Sequence, residues 1–240
     1  MIEAIYPGIS HASVSHSSPT YFLQRTILSG RNDTVDDIDD TVLDRLPGNV
    51  VEFCGADRMI MEEGADLATV SYPTEYLNTL NAPGIPLSRL RLKIGCPLMI
   101  LQNINPSNGL CNGTQGILTN CKRHILQVCL LGRDHHGKQV FIPRIKFKFP
   151  EETIGFHMEQ KQFPVWLAFV MTINKSQGQS VKHIGIDLGN PVFTHGQLYA
   201  ALSRCTSSAN VKVLFDKDAS TTVTSNIVYK DILLVSVPEP

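Results

Sequence analysis

The sequence predicts an α/β protein: a parallel-sheet domain interrupted by a small inserted β-barrel. The α/β framework with an all-β insertion follows from three observations. Stretches near both ends follow strand, helix, strand order. The stretch between them holds only short apolar runs separated by Gly- and Asn-rich turns. The charge is divided along the chain in opposite senses. At 240 residues, 42% hydrophobic and 18% charged, the chain is long enough to bury a core as one large or two small domains. Its 17 Gly and 14 Pro are ordinary usage, which excludes collagen-like and low-complexity classes.

Residues 1–24 combine Glu3, Pro7, His11, His16 and a Ser-rich run. No apolar signal core stands there, and no periodicity either, so the segment reads as a poorly ordered lead-in. Arg25 to Ser29 (RTILS) is a short apolar strand. Gly30-Arg31-Asn32 then turns into a helix with Val35, Ile38, Val42, Leu43 and Leu46 on one face. Asn32 or Asp33 can cap it, Asp36 and Asp37 suit the positive end of the helix dipole, Arg45 suits the other end, and Pro47-Gly48 stops it. Asn49 to Phe53 (NVVEF) reads as the next strand, and Pro73 to Pro86 as a connector. From Leu90 the pattern is all β, with CPLMILQN, QGILTN, HILQVCLL and QVFIPRIKF as strands. Beyond Pro164, Val165 to Thr172 reads as one buried strand and Ile184 to Leu188 as another. Gln197 to Arg204 is a helix with Leu198, Ala201 and Leu202 inward, and Val211 to Phe215 a third strand. The expected organisation is a lead-in at 1–24, the two parts of one α/β domain at 25–72 and 164–235, a connector and basic barrel at 73–163, and a tail at 236–240.

The formal net charge of −1 conceals this division. From Asp33 to Asp66 eleven acidic residues face Arg45 and Arg58, a balance of −9. From Arg89 to Lys148 ten basic residues face Asp134 alone, a balance of +9. Such a block attracts a polyanion through counterion release, or else docks as a solvated basic face on the acidic segment. Both readings stand on charge alone. The six cysteines form no Cys-x-x-Cys pair, and neither Cys121 with His124 nor His135 with His136 has the spacing of a zinc site. They read as thiols of a reducing compartment, and no window approaches a membrane span.

Gly132 to Lys138 (GRDHHGK) matches the first seven positions of the phosphate-cradling pattern G-x-x-x-x-G-K-[ST]. Gln139 occupies the eighth position, without the metal-binding hydroxyl, and strands flank the segment on both sides, so it reads as a hairpin turn. Two other segments exceed what local structure requires. Seven polar side chains crowd the nine residues Thr172 to Ser180 (TINKSQGQS), leaving an apolar strand where open α/β sheets place ligands. Gly178 permits close backbone approach. The second segment, QLYAALSR, ends in Arg204; by itself, a helix-terminal Arg is a dipole partner or a surface charge.

Four stretches in order carry a resemblance. They are ILSGRNDTVDDIDDTVLDRLPG, LRLKIGCPLMILQNINPSNGLCNGTQG, FPVWLAFVMTINKSQGQS and THGQLYAALSRCTS. The chain resembles the PIF-type DNA helicases, and more closely the helicase parts of Helitron-like transposons, over residues 25–233. The resemblance implies that the chain is the C-terminal half of an ATP-dependent 5′-to-3′ DNA helicase: the second RecA-like motor domain, a parallel-sheet domain of the P-loop NTPase type, with its inserted small Src-homology-like β-barrel beside the DNA. It implies that Arg204 is an arginine finger for the γ-phosphate, and that Gln177, Gly178 and Gln179 face the ATP cleft. Thr172, Asn174, Lys175 and Ser176 match the part that tracks single-stranded DNA. Glu159 and Trp166 stand where basic residues are expected.

The first RecA-like domain, with its Walker A and B motifs, is missing. ATP and Mg²⁺ are therefore expected only if such a domain pairs with this chain, in trans or within a longer protein. The expected partner is single-stranded DNA, in an intracellular, nuclear setting of repair, recombination or transposon replication. Other readings are an ATP-independent single-stranded nucleic-acid-binding module and a transposon relic without activity.

Overall fold

The computed structural model describes residues 1–11, 19–60, 72–80, 82, 84–132, 135–149, 151–216 and 223–229. In chain order the first elements are α1 (Ile2–Ile5), α2 (Pro19–Leu23), β1 (Arg25–Ser29), α3 (Asn32–Arg45), β2 (Val51–Cys54), β3 (Ala56–Met59) and α4 (Thr74–Leu77). Next come β4 (Arg89–Leu92), β5 (Pro97–Ile100), β6 (Gln115–Lys122), β7 (Ile125–Leu130), β8 (Gln139–Pro143), β9 (Ile145–Phe149) and α5 (Glu151–Ile154). The last are β10 (Met158–Gln162), β11 (Val165–Leu167), β12 (Val170–Thr172), β13 (His183–Leu188), α6 (Gln197–Leu202) and β14 (Val211–Phe215). The chain divides into two compact units: residues 1–9, 21–42 and 169–240, and residues 10–20 and 43–168.

The first unit is built on a parallel sheet in the order β12-β1-β13-β14. Its apolar strands carry no alternation because both faces are covered near the centre, where Ile27, Leu28, Ile184 and Ile186 are fully buried. Residues 1–9, expected as an unordered lead-in, belong to this core. Tyr6 is 0% exposed, its ring lies edge-on to Phe169 at 6.1 Å between centroids, and its hydroxyl donates to the Phe169 carbonyl. A Cβ at Gly185 of β13 would stand 3.0 Å from Ile5 and 3.1 Å from Met1. A glycine inside this strand is what lets α1 lie on the sheet. Residues 12–18, the rest of the expected lead-in, lie outside the described residues, as do 230–240.

The second unit holds ten strands among the described residues, in three antiparallel sheets: β2-β4, β3-β10-β9 and β11-β5-β6-β7-β8. Two sequence expectations are corrected here. Asn49 to Phe53, read as a motor strand, becomes β2 and pairs with β4 in the β unit. The apolar run Val165 to Thr172 is two strands: β11 pairs with β5 in the second unit, and β12 with β1 in the first. The Gly132–Lys138 segment, of which residues 133 and 134 lie outside the described residues, joins the antiparallel pair β7 and β8, so a strand follows it where a phosphate cradle needs a helix N-terminus. The connector forms α4, whose Leu77 packs with Ala82, Phe149 and Met158 in a satellite cluster.

Part of the basic block is neutralised within this unit. Arg91 pairs with Asp44 at 2.6 Å, and Glu159 receives both Arg58 at 2.9 Å and Lys146 at 3.1 Å. Glu159 thus ties β10 to its two neighbours, which explains an acid at that position. Lys93 is buried, and its ammonium donates to the carbonyls of Asp44 (3.2 Å) and Leu46 (2.6 Å), satisfying the exposed carbonyls at the end of α3. Lys93→Met orphans both carbonyls while keeping the side chain's volume. It is expected to lower stability by about 2 kcal/mol, read from chemical denaturation midpoints; an unchanged midpoint would show that water replaces the ammonium.

Candidate nucleic-acid and nucleotide interface

The site grows out of the parallel sheet's register. Ser29 ends β1 opposite Thr172, which ends β12, and the amide of Ile173 donates to the Ser29 carbonyl at 3.1 Å. The chain therefore leaves both strands side by side at the sheet's carboxyl edge, the edge where α/β proteins bind ligands. Residues Asn174–Ser176 form one 3₁₀ turn. Gly178 follows with φ at +79° and open space around its Cβ position, a left-handed corner that favours glycine.

A cavity of about 440 Å³ lies at this edge, lined by Gly30, Arg31, Asn32 and Asp33 after β1, by Thr172 and Asn174 after β12, and by Phe193. Thr172 and Asn174 are thus brought together as the sequence suggested. Lys175 is exposed on the same turn. Ser176 departs from expectation: it is 2% exposed and its hydroxyl donates to the Ile173 carbonyl at 2.6 Å. It holds the turn instead of reaching outward. The sequence marks Arg31 only as a turn residue and Asn32 only as a turn or cap residue, and Phe193 lies in an irregular segment, so none of the three stood out as a site residue. That ring is 52% exposed, with its backbone fixed by the side chain of Gln197 at 3.0 Å.

The second group converges on Arg204. Its guanidinium donates to the carbonyls of Ala200 (3.0 Å) and Gln179 (3.4 Å) and to the Ser203 hydroxyl (2.9 Å). The amide of Val181 returns a bond to the Arg204 carbonyl at 3.0 Å. Gln179 and Arg204 are therefore tied to each other, while Gln177 is exposed. Helix α6 buries Gln197 and Ala201, but Leu202, expected inward, is 45% exposed.

Electrostatics link the turn to α3. Although Lys175 is exposed as a residue, partial desolvation of its ammonium lowers its pKa to about 8, against the opposing pull of Asp36 and Asp39. Burial raises the Asp36 pKa to about 6, with Lys175 opposing and Asp40, Asp37 and Asp33 reinforcing. The cation of the turn thus sits in the field of an acidic helix that a phosphate would have to displace. Among the described residues, no helix is long and apolar enough to cross a membrane.

A family model described as "DNA helicase Pif1, 2B domain" matches residues 75–121, which lie in the β unit. The chain is 31% identical over 210 residues to the ATP-dependent DNA helicase PIF1 of Homo sapiens, covering 85% of this chain and 29% of that protein. It is 28% identical over 204 residues to the ATP-dependent DNA helicase Pif1 of Campylobacter jejuni, covering 80% of this chain and 42% of that protein. The chain thus spans well under half the length of these relatives. The crystal structure of Pif1 helicase from Bacteroides in complex with ADP-AlF3 and ssDNA superposes with a TM-score of 0.63 at 21% identity, over 96% of this chain and 47% of that one. That of Pif1 helicase from Candida albicans gives 0.60 at 24% identity, over 84% of this chain and 51% of that one. These likenesses identify the fold as RecA-like, and the 2B-domain match falls within the β unit.

Proposed function

We propose that this chain, which corresponds to the C-terminal portion of a PIF-type helicase, supplies the second motor domain and the 2B barrel of an ATP-dependent 5′-to-3′ DNA helicase. Its action on DNA belongs to nuclear repair, recombination or transposon replication. Unwinding then requires a first RecA-like domain, in the same protein or in trans. The observation that carries this reading is the fixed unit of Arg204 and Gln179 beside the Thr172–Lys175 turn. One piece of structure would face nucleotide, and the adjoining piece would face DNA. Arg204 is held by carbonyls and a hydroxyl, so its charge remains for a phosphate.

The residues present fit half of an ATP site. The phosphate cradle and Mg²⁺ ligands would belong to the first domain, since the one Walker-like segment of this sequence, Gly132 to Lys138, is followed by Gln139 where the metal-binding hydroxyl would stand. ATP with Mg²⁺ bound there supplies the phosphoryl transfer. Arg204 would hold charge on the transferring group, and the Gln179 carbonyl keeps the guanidinium oriented. On the DNA side Lys175 and Arg31 would meet phosphates, Thr172 and Asn174 would donate hydrogen bonds, and Phe193 would stack a base. These contacts tolerate any sequence. Pairing the purified chain with the first motor domain of a PIF-type relative tests the reading. DNA-stimulated ATP hydrolysis is expected, and its absence in cis and in trans would overturn the helicase assignment.

Lys175→Ala is expected to weaken single-strand binding and to reduce the slope of log affinity against log salt by about one. The wild type should also bind more tightly as pH falls from 8.5 to 6.5. Lys175, with a pKa of about 8, gains its charge across that window, and Asp36, at about 6, begins to lose its own. Together these changes are expected to give roughly tenfold tighter binding, read by fluorescence anisotropy. A pH-independent affinity would remove Lys175 from the interface.

A further inference from the structure

We propose that Gln197, buried at the start of α6, is a positioning residue for single-strand binding: it fixes the segment that carries Phe193, so that this ring meets the face of an unstacked base. The inference deepens the reading that single-stranded DNA is the partner, and rests on it. Gln197 is 3% exposed. Its side-chain oxygen accepts from the amides of Phe193 at 3.0 Å and Thr194 at 3.4 Å, while its own backbone amide donates to the Thr194 carbonyl at 3.3 Å. The N-cap of α6 is Gly196, which has no side chain to offer, so the turn before the helix is organised by Gln197 from within it.

What this clamp presents is an exposed ring. Val192 is 5% exposed and Phe193, next to it, 52%. The ring lies over Gly30, where an added Cβ would stand 3.6 Å from its Cε1 and 3.9 Å from Gln197 Nε2, and it lines the cavity shared with Arg31, Thr172 and Asn174. Beyond Thr194 the segment is pinned again: the Tyr229 amide donates to His195 Nδ1 at 2.9 Å, and the Gly196 amide to the Ile227 carbonyl at 3.0 Å. Exposure alone does not single out Phe193, since Tyr199 on the same helix is more exposed but does not line that cavity. A ring whose backbone is already fixed has little freedom left to lose when a base stacks on it. Phosphate contacts at Arg31 and Lys175 respond to the strand's charge; Phe193 responds to its bases, and to any of them, because every base has a π face.

The test is anisotropy of the full chain with a labelled single strand and with a strand of abasic spacers of equal length and charge. Wild type is expected to prefer the base-bearing strand by about tenfold. Phe193→Ala should reduce that preference to about twofold. Gln197→Met, which keeps the length but offers no acceptor to the two amides, should do the same without changing the salt slope. The double variant should lose no more than Phe193→Ala alone, since both changes remove one contact. Gln197→Glu, which keeps an acceptor oxygen for both amides, should retain the preference, and it carries the test if Gln197→Met does not fold. Wild-type preference in Gln197→Met, further loss in the double variant, or loss in Gln197→Glu equal to that in Phe193→Ala would overturn the proposal and leave Gln197 a turn residue. Wild-type preference in Phe193→Ala, with Lys175→Ala still lowering the salt slope, would overturn it and leave the motor-domain reading standing. Absence of binding to either strand at low salt would overturn both.

Discussion

Arg204→Ala is expected to reduce DNA-stimulated ATP hydrolysis of the reconstituted motor by ~10³, with single-strand affinity changed less than about twofold. The asymmetry follows from where the guanidinium is held. Its bonds run to Ala200 on its own helix, to Ser203 beside it, and to the Gln179 carbonyl at the end of the polar loop. None of these partners carries charge, and none lines the cavity that contains Thr172 and Asn174. Removing the side chain would take one cation from the transition state while leaving the 3₁₀ turn intact, because Ser176 and the Ile173 carbonyl hold that turn from within. Arg204→Lys should recover only a small part of the lost rate, since an ammonium lacks the planar fork that spans two phosphate oxygens. A loss of DNA affinity as large as the loss of turnover would place Arg204 at the DNA instead.

How much of this was legible in the sequence depended on whether the signal was local. The helix from Asn32 carried its apolar face, acidic first turn and Pro-Gly stop in consecutive residues, and the strand before it was equally plain, while the strand after it was legible as a strand but not as part of the β unit. The polar loop after β12 stood out because seven polar side chains follow an apolar run. Residues 1–9 were illegible because nothing nearby signals the burial of Tyr6; its neighbours are Phe169 and Phe22, and the space for α1 is recorded only as a glycine in β13. The run Val165 to Thr172 concealed a change of sheet, since an unbroken apolar stretch has no period to mark where pairing switches. The basic block was legible as charge but not as place: Arg91, Lys93 and Lys146 find partners in the folded unit, whereas Lys122, Arg123 and Lys148 are exposed.

Asp39→Ala is expected to destabilise the parallel-sheet unit by about 2–4 kcal/mol, whereas Asp39→Asn should hold or raise stability at pH 7.5. Strand β12 lies at the edge of the sheet, bonded to β1 on one side. On its other side the amide of Val170 is buried and donates to the Asp39 carboxyl at 2.9 Å, so the helix side chain does what a further strand would do. Alanine orphans that amide; asparagine keeps an acceptor oxygen. Burial raises the Asp39 pKa well above its usual value, partly opposed by the Val170 and Phe169 backbone, and Asp36 in the same helix rises to about 6. A folded-state pKa above the unfolded one means that the folded state takes up protons first. The stability this contributes is complete below the unfolded carboxyl range and is lost as pH rises through the folded value, hence through about 6 for Asp36. The wild-type advantage over Asp39→Asn should therefore shrink or reverse as pH rises from 5.5 to 7.5 in thermal unfolding. Because β12 delivers Thr172 and the turn that follows, Asp39→Ala should also weaken single-strand binding, and Asp39→Asn should not. Equal losses from both variants at pH 7.5 would mean that the ionised carboxylate, not a neutral acceptor, holds the edge strand.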